Sequence, residues 1–165
     1  MNTTPHPHED PHRTTPIGLA RYAAEFLEAA LAADDKMGRK PGFEIVAPVP
    51  VMFLVGQSIE LSLKSFLLFK GESLRRLRTH YGHDLHCALR KAKEYGLLRD
   101  VPLSDDDVNI IEVLDDLYST KQLQYIVSGA TTFPVFGPLE SAAKRLSEGI
   151  SRVVGHNPRR APNAD

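Results

Sequence analysis

Residues 49–71 read VPVMFLVGQSIELSLKSFLLFKG. Pro48 and Pro50 open this run, because proline is tolerated in a first helical turn, where its missing N–H has no intrahelical partner anyway. Lys70 and Gly71 close it, with a cation in the last turn and a residue free to adopt the left-handed stop. Between them Val51, Met52, Val55, Ile59, Leu63, Phe66 and Leu67 recur three and four positions apart, and Leu54, Leu61 and Phe69 widen the stripe. An apolar surface this broad predicts a central helix over 50–70 that is covered on several sides.

The flanking segments supply the cover. Thr15-Pro16 is a hydroxyl N-cap followed by proline, and Ile17, Ala20, Ala24, Leu27, Ala30 and Leu31 follow at helical spacing, predicting a helix over 16–34 and a linker from Gly38 to Gly42. After Gly71 the chain is basic through Arg75, Arg76, Arg78 and His80, which reads as a loop. Leu85, Ala88, Leu89 and Ala92 then mark a helix over 83–95, stopped by Gly96. Ser104 with Asp107 is a capping box in which Asp replaces the usual Glu or Gln, and it starts an acidic helix over 104–118. Residues 119–137 read as a long structured loop with extended pieces at Tyr125–Val127 and Thr132–Phe136. Pro138 at a first helical position predicts the last helix, over 138–154. The expected fold is all-α, an up-and-down bundle of about five helices over 15–156, between a leader (1–14) and a tail (157–165) expected to be disordered.

Composition narrows the function classes. Twenty basic against 21 acidic residues give a net charge of −1, so no global field draws the protein to nucleic acid or acidic membrane, and anion binding needs a local cluster. Cys87 is the only cysteine, which excludes an internal disulfide and suits a reducing compartment. The polar, Pro-rich leader has no apolar region of a signal peptide, and the run Ala47–Leu54 is short of the roughly 20 residues that span a bilayer, so the expectation is cytoplasmic, without a membrane partner. Nucleotide-binding glycine fingerprints, the HExxH zinc motif and the GxSxG elbow are all missing, and no cofactor is expected.

Chemistry-bearing residues concentrate between Gln57 and Leu89. Glu60 and Lys64 form an i, i+4 pair in the favourable orientation on the most apolar helix. Gly82-His83-Asp84-Leu85 opens the next helix, and a later helix ends in Tyr118 with Lys121 and Tyr125 just beyond. Over roughly residues 50–126 this pattern resembles the HEPN domain. The resemblance implies a small helical bundle, usually dimeric, linked to nucleotidyltransferase partners, toxin–antitoxin pairs and phage defence. It makes Glu60, Lys64, Asp84, Tyr118, Lys121 and Tyr125 candidate binding residues, with RNA or a nucleotide as ligand.

The resemblance also implies a catalytic alternative. Many HEPN proteins are metal-independent ribonucleases with an Arg-x(4–6)-His motif, and Arg78-Thr-His-Tyr-Gly-His83 fits it, as does Arg76 to His83 with six intervening residues. Histidine moves the 2′-hydroxyl proton while arginine holds the scissile phosphate. The departure is that Arg78 falls in the expected loop. A structural reading of the same residues has Asp84 facing the helix dipole and His83 bonded back to Glu60. His83 and His86 at i, i+3 are a weak metal pair, so no metal is expected, and Cys87 reads as a small buried apolar residue. The sequence therefore favours a homodimeric binding or adaptor domain over a nuclease using His83 and Arg78.

Overall fold

In the computed structural model, residues 9–125 and 128–157 are described. They form seven α-helices and one π-helical turn, with no strand among the described residues: α1 (Pro16–Met37), α2 (Val49–Phe69), α3 (Leu74–Arg76), the π turn (Leu77–Tyr81), α4 (Leu85–Glu94), α5 (Leu97–Asp100), α6 (Asp105–Tyr118) and α7 (Phe136–Val154).

The wide apolar surface of residues 49–71 has its explanation in α2, which packs against α1, α4, α6 and α7. Val51, Val55, Leu63, Phe66 and Leu67 are fully buried, each contributing about 1.5–3 kcal/mol relative to exposure. By length and mean hydropathy α2 passes for a membrane span, but 67% of that window is buried inside the bundle. Its closest partner is α1, which runs antiparallel to it. The Ser65 hydroxyl donates to the Pro16 carbonyl at 2.7 Å, so the end of α2 meets the start of α1. Small residues line both sides of this pairing, with Ala20, Ala23 and Ala30 on α1 and Ser58, Ser62 and Ser65 on α2 all buried.

The caps fall where the residue types demand. Thr15 accepts from the Gly18 N–H at 3.0 Å. The Ser104–Asp107 box closes in both directions, and Arg145 of α7 adds its guanidinium to the Asp107 carboxylate, tying the start of α6 to α7.

Several expectations need correction. The bundle has seven α-helices rather than about five, because short helical turns occupy two of the expected joints. The basic stretch is helical: Ser73 caps α3, and buried Leu77 and Tyr81 anchor the π turn, so Arg78 lies on a helical turn and not in a loop. Helix α1 continues past Asp34 to Met37. Helix α4 begins two residues later than expected, because Asp84 is its cap and His83 precedes it. Helix α7 starts at Phe136, held by a bond from its N–H to the Ile45 carbonyl at 2.9 Å, so Pro138 is not the first helical residue. The expected extended piece at 132–136 forms no strand, and the one at 125–127 lies mostly outside the described residues. In the leader, Glu9–Thr14 form a turn while 1–8 lie outside the described residues, as does the tail beyond Asn157.

Candidate functional site

The site is built on Glu60, one turn beyond Gly56 on α2. A Cβ at Gly56 would stand 2.4 Å from Tyr118 Cδ2, so glycine is what admits the Tyr118 ring against the α2 backbone. From there the Tyr118 phenol donates to Glu60 Oε2 at 2.6 Å. His83 Nδ1 lies 2.9 Å from the same oxygen, and Lys64 Nζ donates to Oε1 at 2.6 Å. One carboxylate thus joins α2, α6 and the residue preceding the α4 cap. With Oε2 accepting, the Nδ1 of His83 is the donor of this bond, and Nε2 is the ring nitrogen left facing away from Glu60. The Glu60 side chain is 6% exposed and Lys64 15%, whereas His83 is 54% exposed. Burial and the neighbouring Glu60 charge push the Tyr118 phenol up, so it is a hydrogen-bond donor and no acid at physiological pH.

A second carboxylate shapes the approach. Buried Glu72 accepts from Tyr81 Oη at 3.2 Å and Tyr95 Oη at 2.9 Å, with Arg76 Nε 3.4 Å away, and so fixes the π turn against α4. Gly82, at φ +49°, turns the chain out of the π turn and delivers His83. Asp84 then caps α4 by accepting from the Cys87 N–H at 2.6 Å. Asp115 of α6 accepts from the Leu85 N–H at 2.9 Å; burial pushes its carboxyl up while the α4 N–H groups pull it down.

Lys64, Arg78 and His83 line one pocket of about 230 Å³, whose walls are Leu19, Leu61, Leu74 and Leu77, with Thr14 and Gly82 completing it. Arg78 holds a carboxylate from the leader, with its Nε and Nη2 2.7 and 2.6 Å from Glu9 Oε1. The arrangement sets Lys64 and Arg78, each paired with a carboxylate, and the His83 imidazole beside an apolar wall.

The structure thus brings together Glu60, Lys64, Arg78, His83 and Tyr118, the last as a buried support. It does not bring in the others. Asp84 is exposed and spent on its cap. Lys121 and Tyr125 stand on the turn after α6, outside the pocket lining, with Tyr125 67% exposed. Lys121 has φ +61°, the left-handed conformation that ends α6 through the Gln122 N–H to Leu117 carbonyl bond. His86 faces Glu112, at 3.4 Å, and not His83. Among the described residues no group of three or more His, Cys, Asp or Glu is placed to hold a metal. Cys87 is half-buried at the rim of the core, and not fully inside.

Sequence reasoning missed Gly56, Glu72 and Asp115. A glycine inside a strong helical pattern was the available signal for the first, since it costs about 1 kcal/mol against alanine and so asks for a packing reason. Comparison with protein-family models, with curated proteins and with solved structures finds no match to this chain.

Proposed function

We propose that this chain is a HEPN-like domain that binds RNA or a nucleotide at the Lys64–Arg78–His83 pocket and does no chemistry itself, serving a defence or toxin–antitoxin system. The observation that carries this reading is the convergence of those three side chains on one pocket with a leucine wall. Lysine and arginine give phosphate oxygens charge-assisted hydrogen bonds, and the apolar wall suits a base or sugar face. Glu9 on Arg78 supports it further, because a carboxylate already occupies the arginine as a phosphate oxygen would. A near-zero net charge fits binding by a local cluster.

Self-association into a homodimer belongs to the same proposal. The Phe136–Ile45 backbone bond sets two loops side by side, and Phe43, Ile45, Phe133 and Val135 are exposed there. A cognate nucleotidyltransferase or antitoxin is a further partner consistent with this reading, in a cytoplasmic setting.

A second reading, a metal-independent endoribonuclease using Arg78 and His83, is favoured by their sharing one pocket, with Arg78 on a helical turn. A labelled single-stranded RNA incubated with the protein in EDTA separates the two. The binding reading predicts retarded, intact RNA. Cleavage that disappears in both Arg78→Ala and His83→Ala replaces it with the nuclease.

A further inference from the structure

The π turn has a second face. A cleft of about 160 Å³ lies between it and α4, and Arg76, His80, Arg90 and Lys91 line it together with Cys87 and Glu94. Glu94 is the one carboxylate among these, and Lys91 already engages it at 2.8 Å. Arg76 is half-exposed over the Tyr81 ring, 6.0 Å from its centroid, and Arg90 stands exposed on α4. Glu72 lies 3.4 Å from Arg76 and Glu94 engages Lys91, so the three cations Arg76, Arg90 and Lys91 face two carboxylates and the cleft keeps one positive charge in excess. The two sites differ in their walls. The Lys64 pocket is leucine-lined and has room for a base, whereas the Arg90 cleft is smaller and polar, suited to a phosphate alone. Arg76 opens on one side of the turn and Arg78 on the other, so a strand crossing the turn meets cations on both sides.

We infer that the Arg76–Arg90 cleft is a second phosphate site, and that an RNA strand seated in the Lys64 pocket continues over the π turn into it. The inference rests on the binding reading above and deepens it: the ligand is a strand of at least two phosphates and not a mononucleotide. Phosphate contacts of this kind position a strand without reading its sequence.

Cys87 makes the test direct, because it is the only thiol in the chain and lines this cleft and not the Lys64 pocket. The rate of its alkylation by iodoacetamide is measured on the full chain at low salt, alone, with a single-stranded RNA oligonucleotide, and with inorganic tripolyphosphate. The expected result is slowing of the reaction by both anions, with the slowing lost in Arg90→Ala, an exposed change that leaves the fold intact by circular dichroism. For the oligonucleotide, removing one phosphate contact flattens the salt dependence of log affinity by roughly 0.7. No protection by either anion, or protection undiminished in Arg90→Ala, overturns the site. Protection by tripolyphosphate but not by RNA overturns the strand. Failure of the first reading shows separately, as RNA binding that is indifferent to Arg78→Glu.

Discussion

The Tyr118 phenol donates to Glu60 Oε2 at 2.6 Å across 58 positions of sequence, and this one bond ties the end of α6 to the middle of α2. Both groups are buried, and the same carboxylate oxygen faces His83. Losing the donor therefore unsettles a charge that the interior cannot hydrate. Tyr118→Phe is expected to cost about 1–3 kcal/mol, read as a lowered midpoint in urea with an unchanged slope.

Gly56→Ala tests the same contact from the other side. Helix propensity alone favours alanine by about 1 kcal/mol. Against that, the new methyl meets the Tyr118 ring at 2.4 Å and must displace it, an overpacking cost of about 1–3 kcal/mol to which the strained phenol–Glu60 bond adds. The net effect expected is destabilisation, and a variant more stable than the wild type would show that the ring has room to move.

His83→Ala separates support from function. His83 is half-exposed, and Glu60 keeps its bonds to Tyr118 and Lys64 without it, so the change is expected to cost less than about 1 kcal/mol. RNA affinity should fall all the same, because the imidazole lines the pocket. A thermal melt and a binding isotherm on the same preparation check both halves. The bond from His83 back to Glu60 that the sequence led us to expect is present at 2.9 Å.

Acid should loosen the α6–α7 junction. The Arg145 guanidinium, with the Ser104 N–H and hydroxyl, holds the Asp107 carboxyl below its ordinary value near 3.8, against the opposing effect of burial. A depressed carboxyl contributes stability above its unfolded-state pKa and loses it as the pH falls through the folded-state value. Asp107→Asn is therefore expected to be less stable than the wild type at neutral pH, by about 1–2 kcal/mol, with the gap closing as the pH falls below about 3.8. Melting temperatures of both proteins from pH 7 down to pH 2 would show it, and a constant gap would speak against it.

The helices that were legible in the sequence are those whose signals are local. Thr15-Pro16, the Ser104–Asp107 box and the stripe of α2 each specify an element through neighbours within a few residues, and they stand where those patterns put them. The Glu60–Lys64 pair was legible for the same reason, from helical spacing. The His83–Glu60 bond, in contrast, spans 23 positions and was expected from the place of His83 beside a helix start. The basic stretch was not, because Arg75, Arg76, Arg78 and His80 carry no apolar period. Its helical form comes from Leu77 and Tyr81 reaching the core and from Glu72 binding Tyr81, Tyr95 and Arg76. Glu9 on Arg78, 69 positions apart, is a contact that no local pattern encodes.

The most direct measurement is the fluorescence anisotropy of a labelled single-stranded RNA titrated with the wild-type protein and with Arg78→Glu over a series of salt concentrations. Arg78 is half-exposed and paired only with Glu9 among the described residues, so its reversal should leave the fold intact. Binding through the Lys64–Arg78–His83 pocket predicts saturable affinity that falls with salt in the wild type, and a large loss in Arg78→Glu with a salt slope reduced by roughly 0.7 for the phosphate no longer held. Wild-type and variant curves that superimpose at every salt concentration would contradict it.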